Sequence, residues 1–404
     1  MTGPLVAIVD PYASALAPEI SARSGRCLAV LSGETPTAYQ GTFRPEDFAT
    51  VLHYEGDPTV AELRRLGATH VVAGGELGVL LADALREELG LPGNRPVPRD
   101  ARRDKYEMHR QVARHGLRTP AQTASGDLEE ILAWIERNIR LPVVVKPLHS
   151  SGSDGVHFCG SRSEVRQAFA ALIGQRNLLG LLNERVLVQE FLLGPEYVVD
   201  TVSHAGRHRV AAIWRYGRSR AAEGYDFLEI LPAEGERQGF LAAYTLAVLE
   251  ALGIEEGPAH SEVMWSGGSP VLIEVGARLH GGRTPLLSRQ FLSRSQLDLA
   301  VDALLDPERF LAGQDRPYQL TASAAIVFLI PGRSGRLRSL PRLDEIRVLP
   351  SLREMETGTL PADPAPRVAG WLALIHEDPE VVTADLRRVR EIEDDGLYDF
   401  EEPA

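Results

Sequence analysis

Two glutamates in the second half of the chain have the spacing of a shared metal site. Glu262 and Glu274 lie in two apolar runs that flank the Gly-rich stretch 266–270, and this pattern predicts a β-hairpin. A hairpin centred on Gly268 puts the two carboxylates directly opposite each other, where like charges are destabilising. A divalent cation bound by both is the simplest compensation. Arg278 follows four residues later and offers a planar cation for phosphate or carboxylate, so the set suggests phosphoryl chemistry.

Two lysines upstream are candidates for binding an anion. Lys146 ends an apolar run and precedes a loop of small residues whose backbone N–H groups can face an anion, including Ser151, Gly152, Ser153 and Gly155. The loop is not a Walker A motif, because the lysine comes before the glycines. Lys105 follows Arg102 and Arg103 at the start of a predicted helix, where anions are favoured. The plainer interpretations are a flexible surface turn and a solvated basic face.

A segment between two predicted strands, 189–196, offers groups that suit a nucleoside. The backbone of Gln189, Glu190 and Leu192 can meet the edge of an adenine, and Glu196, after a Gly-Pro break, can accept hydrogen bonds from ribose hydroxyls. Considered alone, the segment is better described as an exposed connector between domains with solvated glutamates.

Composition limits the class of protein. The chain has 404 residues with ordinary hydrophobic and charged content, enough for two or three domains. A net charge of −13 argues against nucleic acid as the principal partner. Two cysteines imply no disulfide framework. We expect a cytoplasmic protein without a membrane span, because the apolar runs are short and the first residues lack a basic signal-peptide region.

Strand and helix alternate over residues 5–73 and predict a small parallel sheet covered by helices. This region is either purely structural, or its strand-end loops 10–12 and 74–76 contribute to a substrate pocket. After a Pro/Gly-rich linker at 91–98, the pattern changes to α+β. We predict an irregular loop over 216–233, a long helix over 290–305, and a final α+β module in which 346–349 is a strand.

The order of these features resembles the ATP-grasp superfamily over roughly residues 96–320. The resemblance implies an N-terminal parallel α/β domain (1–95), an ATP-grasp domain of two α+β subdomains (96–320) and a C-terminal α+β module (321–404). It implies that Lys105 and Lys146 hold the phosphates of ATP under the small-residue loop, that 189–192 meets adenine and that Glu196 meets ribose. Glu262 and Glu274 would then bind Mg²⁺, and Arg278 would stabilise the transferred phosphoryl group and the tetrahedral species.

One departure from the superfamily pattern points to a branch. The last motif is usually Glu-x-Asn-x-Arg, and Gly276 stands at the Asn position, which leaves the number of metal ions open. The form Glu-Val-Gly-Ala-Arg-x-x-Gly-Gly resembles L-amino-acid ligases (dipeptide synthetases) and antibiotic-pathway amide ligases. The implied reaction is ATP-dependent amide formation through an acyl phosphate, joining an amino acid to a second amino acid or a small amine.

The remaining expectations concern substrates and partners. Gly281 would help to bind the acyl oxygen, and His280 is either a substrate-orienting group or base, or a packed core histidine. Weaker candidates for substrate contact are Arg215, Arg220, Tyr225 and Glu76, the last for an α-amino group. The alternatives are a carrier-protein thiol as acceptor, a carboxylase-type reaction and a non-catalytic nucleotide-binding relative. A homodimer is the default assembly.

Overall fold

The computed structural model describes residues 3–33, 35–36, 39–217, 225–333, 335–362 and 367–401. No helix within these ranges is long and apolar enough to cross a membrane.

The N-terminal domain is a four-stranded parallel sheet in the order β3-β2-β1-β4. All five residues of the central strand β1 are buried, as expected of a parallel strand covered on both faces. The parallel α/β prediction is therefore confirmed. The elements are β1 (Leu5–Val9), α1 (Leu16–Ala22), β2 (Arg26–Leu31), β3 (Thr50–His53), α2 (Asp57–Leu66), β4 (His70–Ala73) and α3 (Val79–Leu89).

A second sheet of four antiparallel strands has the order β5-β8-β6-β7. Its first helix, α4, begins at Lys105 because the Asp104 side chain accepts hydrogen bonds from the backbone N–H groups of Tyr106 and Glu107. This cap fixes the lysine at the helix start. The elements are α4 (Lys105–Arg114), β5 (Gln122–Ser125), α5 (Leu128–Asn138), β6 (Val143–Pro147), β7 (His157–Cys159), α6 (Arg162–Leu172) and β8 (Val186–Glu190).

The third sheet has eight antiparallel strands in the order β13-β12-β9-β10-β11-β14-β17-β16. Strands from the predicted C-terminal module thus continue the sheet of the preceding region, and the domain boundaries stay a prediction. The elements are β9 (Glu196–His204), β10 (Arg207–Gly217), β11 (Phe227–Ile230), α7 (Glu236–Ala251), β12 (Gly257–Ser266), β13 (Ser269–Gly276), α8 (Thr284–Leu287), α9 (Gln296–Leu305), α10 (Pro307–Leu311), β14 (Ser323–Leu329), β15 (Leu337–Ser339), α11 (Leu343–Arg347), β16 (Leu352–Thr357), β17 (Gly370–His376), α12 (Pro379–Asp394) and β18 (Asp399–Phe400).

Three predictions of local structure are wrong. Part of the expected 216–233 loop is β11, which pairs with β10 and β14. The expected helix over 290–305 begins only at Gln296, because Ser295 and Asp298 form a capping box there. The first two residues of the expected strand 346–349 are the last two of helix α11, where Leu343 and Ile346 have the i, i+3 spacing of a helix face.

Candidate active site

A cleft of about 1340 Å³ lies where the three sheets meet. The parallel sheet contributes the loops that follow β1 and β4, so the interpretation of these loops as part of a pocket is supported. The small-residue loop, the 189–196 segment, the β12–β13 hairpin and strands of the C-terminal region complete the walls. The lining includes Asp10, Tyr12, Glu76, Lys105, Lys146, Ser151, Gly152, Ser153, Gly155, Gln189, Glu190, Leu192, Glu196, Tyr216, Tyr225, His260, Glu262, Glu274, Arg278, His280, Gly281, Phe328 and Trp371.

The hairpin places Glu262 opposite Glu274, as predicted, but by a different geometry. The turn has only two residues, Gly267 and Gly268, since Ser266 pairs with Ser269. The register shifts just before Glu274, so that Ile273 is the extra residue of a bulge. His109, from α4, holds the bulge through a 3.0 Å hydrogen bond between its Nε2 and the Ile273 carbonyl. Burial lowers the pKa of His109 to about 3, so the imidazole is neutral and Nε2 donates.

The lysines and glutamates form one compact charge cluster. Lys105 Nζ lies 2.8 Å from Glu274 Oε2 and donates to the Ser150 carbonyl at 2.8 Å. Burial, and then repulsion from Lys105, lower the pKa of Lys146 to about 8. Burial, and then repulsion from Glu274, raise the pKa of Glu262 well above its usual range. At Glu262, burial and the facing Glu274 therefore outweigh the two lysines, so the protein compensates a negative charge there incompletely.

The small-residue loop leaves β6 beside this cluster and is tied down on both sides. Ser150 Oγ donates to Asp154 at 2.7 Å, and Arg367 Nη1 donates to the Gly152 carbonyl at 3.0 Å. Gly152 and Gly155 have φ values of 64° and 66°, which glycine adopts at little cost. Backbone in this conformation turns tightly, so the loop lies along the cleft next to Lys146.

The segment 189–196 connects the second sheet to the third, since it runs from the end of β8 in one sheet to the start of β9 in the other. Apolar side chains line the cleft beside it, namely Val144, Phe158, Leu192, Met264 and Ile273. Phe158 and Phe191 pack edge to face with centroids 5.7 Å apart. A flat aromatic ring fits such a wall, with Glu196 at the start of β9.

Arg278 is fixed by partners from distant parts of the chain. Its Nε donates to Glu76 Oε2 at 2.6 Å, and Arg103 Nη1 donates to the other oxygen of Glu76. Although burial opposes ionisation, the two arginines hold the pKa of Glu76 well below its usual range. Arg278 Nη1 also donates to His260 Nδ1 at 3.2 Å. Burial, and then Arg278, lower the pKa of His260 well below its usual value, so this ring accepts as a neutral imidazole.

A stacked tyrosine pair closes the side of the cleft next to Glu262. The rings of Tyr216 and Tyr225 are parallel within 4° with centroids 3.7 Å apart. Tyr216 Oη donates to Glu262 Oε1 at 3.3 Å. Burial, and then the charge of Glu262, raise the pKa of Tyr225 to about 12. Tyr225 therefore lies beside the paired glutamates as a neutral phenol.

Comparison with known proteins identifies the family. Residues 139–285 match the model of an ATP-grasp domain. Dapdiamide A synthase of Enterobacter agglomerans is 30% identical over 98% of both chains. The chain belongs to the ATP-grasp family. It is an ATP-dependent ligase that forms carbon–nitrogen bonds.

Solved structures agree with this fold. An L-amino acid ligase from Bacillus licheniformis superposes with a TM-score of 0.76 at 19% identity, covering all of both chains. An N5-carboxyaminoimidazole synthetase from Staphylococcus aureus in complex with ADP gives a TM-score of 0.70 at 14% identity over 97% of both chains. At these identities the likeness concerns the fold alone, and it covers the N-terminal domain as well as the ATP-grasp core.

The ligase has no room for the usual asparagine of the last motif. A Cβ atom at Gly276 would lie 2.3 Å from His260 Cε1 and 3.2 Å from Glu76 Oε2. His260 is the cross-strand partner of Gly276, and its imidazole lies over the glycine. The imidazole of His260, on the facing strand, therefore occupies the space that a side chain at position 276 would need.

The structure brings most of the proposed site residues of the ligase to the cleft, with two exceptions among the weak substrate candidates. Arg215 is not a lining residue in the described chain, because strand alternation turns it away from its neighbour Tyr216. It pairs instead with Glu229 on β11 at 2.7 Å. Arg220 lies outside the described residues. Glu76 does line the cleft, but both of its oxygens accept from arginines, which favours a role in positioning Arg278.

Three residues of the site were missed or undervalued from the sequence. Arg103 lies in the basic cluster before α4 but is not a solvated cation, since it is 6% exposed and pairs with Glu76. His260 carries a signal in its spacing, because residues two apart on a strand share a face and Glu262 follows it. Asp200 interrupts the apolar strand β9, and a carboxylate in such a run is a detectable sign of a buried polar site.

Proposed function

We propose that this ligase joins an amino acid to a second amino acid or a small amine through an acyl phosphate. The observation that carries the proposal is the convergence of Lys105, Lys146, the paired glutamates and Arg278 on one cleft. Two buried lysines beside the small-residue loop suit the phosphates of ATP. A guanidinium held by Glu76 suits the charge that develops on the acyl phosphate. The similarity to a dapdiamide synthase over nearly the whole chain supports an amide product.

Mg²⁺ fits the paired glutamates. Oxygen atoms of Glu262 and Glu274 and one nitrogen of His260 lie within 4.8 Å of one another. Mg²⁺ prefers oxygen ligands, and His260 Nδ1 already accepts from Arg278, so we assign the metal to the two carboxylates. A bound Mg²⁺ would neutralise charge on the phosphates and on the glutamates themselves.

The residues of the chain then have distinct tasks in the reaction. The substrate carboxylate attacks the γ-phosphate of ATP, a carboxyl–phosphate bond forms and ADP leaves. An amine displaces the phosphate to give the amide. Positioning and charge neutralisation supply most of the rate in such transfers, which is the role we give to Lys105, Lys146 and Arg278. Glu196 and the apolar wall by Leu192 would hold the nucleoside.

ADP release measured with single L-amino acids and with pairs tests the proposal, with mass spectrometry of the product. We expect turnover with at least one pair, and loss of the Mg²⁺-dependent rate in Glu274→Gln while the protein stays folded. Glu229→Gln is the matched control, because Glu229 lies outside the cleft and pairs with Arg215. If Glu274→Gln keeps wild-type activity at limiting Mg²⁺, the metal assignment is wrong. Tight ATP binding without turnover for any pair would contradict the amino-acid ligase itself.

The same assay addresses the alternative acceptor. If a thioester on a carrier protein forms faster than any amide, the acceptor is a carrier-protein thiol and not a free amine. A homodimer also stays a prediction.

A further inference from the structure

A buried histidine–carboxylate pair lies in the wall of the cleft. His280 Nδ1 is 3.1 Å from Asp200 Oδ2, which also accepts from Trp214 Nε1 at 2.7 Å. Asp200 is 2% exposed and His280 is 9% exposed. A carboxylate accepts a hydrogen bond from Nδ1–H, and this places the lone pair of the neutral ring on Nε2. Asp200 thus selects the tautomer in which the opposite nitrogen is basic.

The basic nitrogen is available to substrate. The ring of His280 lines the cleft, and within the described chain Nε2 has no hydrogen-bond partner. It is also absent from the polar atoms that are fully buried without a partner, so it keeps accessible surface on a side chain that is 8% exposed. A packed histidine behaves differently in the same protein, since His109 has Nε2 bonded to the Ile273 carbonyl and Nδ1 buried without a partner.

The pair is also close to the reacting groups. His280 stacks on His260, with ring planes within 11° and centroids 5.4 Å apart. His260 in turn accepts from Arg278. The backbone N–H of His280 donates to Gln296 Oε1 at 2.9 Å, which fixes the ring against helix α9. Among the described residues, these contacts place the titratable Asp200 and His260 next to the ring and the charged Arg278 beyond His260.

We propose that His280 Nε2 is the general base that removes a proton from the attacking amine, and that Asp200 is a positioning residue for it. The inference rests on the proposed function. An ammonium group loses one proton to Nε2, and its nitrogen pair then forms the bond to the acyl carbon. The carbon–oxygen bond to phosphate breaks, phosphate leaves with the bonding pair, and the second proton of the nitrogen goes to that phosphate. The products are the amide, hydrogen phosphate and a protonated His280, which returns its proton to solvent.

Replacement of the amine by hydroxylamine tests this role, because hydroxylamine is neutral at neutral pH and attacks without prior deprotonation. His280→Gln should slow amide formation about 100-fold or more, and should form hydroxamate and ADP from the same acid at close to the wild-type rate. Asp200→Asn should also slow amide formation, to a smaller extent, and leave hydroxamate formation close to the wild-type rate. The KM for ATP should stay unchanged in both variants, and hydroxamate formation itself shows that the variants are folded.

His204→Gln is the matched control, because His204 makes a similar pair with Glu256 at 3.2 Å outside the cleft. It should leave both rates unchanged. Equal losses with amine and with hydroxylamine in His280→Gln would overturn the base assignment, as would unchanged amide formation. If the wild type forms neither hydroxamate nor ADP with any L-amino acid, the proposed function fails and the base with it.

Discussion

Replacing Glu262 by glutamine should stabilise the metal-free protein and remove its response to Mg²⁺. Glu262 faces Glu274 across the hairpin, with carboxylate oxygens within 4.8 Å. Burial, and then Glu274, raise the pKa of Glu262 well above its usual range. An ionised carboxylate at this position therefore lowers the stability of the fold. Glutamine keeps the size of the side chain and removes the charge.

The pH dependence of the effect follows from the direction of this shift. A carboxyl group whose pKa is raised by folding binds its proton more tightly in the folded chain. Its contribution to the stability of the fold is therefore most favourable at a pH below the ordinary glutamate pKa of about 4.3. This contribution to stability is lost as the pH rises through the raised pKa of the group in the folded chain. Two unit charges separated by at most 4.8 Å repel by at least about 3.5 kcal/mol at an effective dielectric constant of about 20. Lys105 and Lys146 offset much of this repulsion, so we expect a net gain on the order of 1 kcal/mol for the variant at about pH 8.

Urea unfolding in the presence of a chelator measures the difference in unfolding free energy between the variant and the wild type. It should be largest near pH 8 and small near pH 5, at which most of the destabilising charge is absent. Added Mg²⁺ should then raise the unfolding free energy of the wild type, by about 2.7 kcal/mol at a concentration of about 100 Kd, and leave the variant unchanged. Glu229→Gln should behave like the wild type in both measurements. A variant that is less stable than the wild type at pH 8, or equally stabilised by Mg²⁺, would refute the reasoning.

Three further predictions concern other groups of the site. Lys146 has a pKa lowered to about 8 and loses its charge above that pH, so the KM for ATP should rise between about pH 8 and 9.5. Lys146→Arg should abolish that rise, and a KM that is flat in the wild type would contradict the assignment. Glu76→Gln leaves the buried Arg103 and the mostly buried Arg278 without their carboxylate and should lower the unfolding free energy by about 3 kcal/mol together with kcat. A change confined to the KM for the amino acid would instead support recognition of its α-amino group. Gly276→Asn forces a Cβ against His260 and should cost about 2 kcal/mol in urea unfolding. His260→Ala in the same chain should recover most of that loss, and no recovery would show that the clash lies elsewhere.

Local patterns were sufficient for much of the fold and the site. The parallel sheet followed from short apolar runs alternating with helical periods, and the chemistry followed from residue types near the ends of strands. The opposition of Glu262 and Glu274 was predicted correctly, but from a hairpin centre that the structure does not have. The two-residue turn would put Glu274 out of register without the bulge at Ile273. That bulge is held by His109, which lies 164 residues earlier, and no local pattern reveals such a contact.

The errors have a common physical origin. Short apolar segments are compatible with more than one structure until their partners are known, which is why the sequence predicts a strand at 346–349 and a loop where β11 lies. Strand alternation could have excluded Arg215 from the cleft, since it adjoins Tyr216 on β10 and side chains at adjacent positions face opposite sides. The partners of Arg278 could not be found in this way, because the interaction with Glu76 joins residues 202 positions apart.

The contact between Arg278 and Glu76 links the N-terminal domain to the residue that we propose stabilises the transferred phosphoryl group. Glu76 lies in the loop after β4 of the parallel sheet, and Arg278 follows the last strand of the hairpin in the large sheet. The guanidinium therefore takes its position from both units, and Arg103 completes the arrangement from the segment that joins them. Because a displacement of about 1 Å in a positioning group can cost about 100-fold in rate, we expect packing between the two sheets to affect catalysis. Substitutions that loosen this packing should reduce kcat even where they touch neither ATP nor the metal carboxylates.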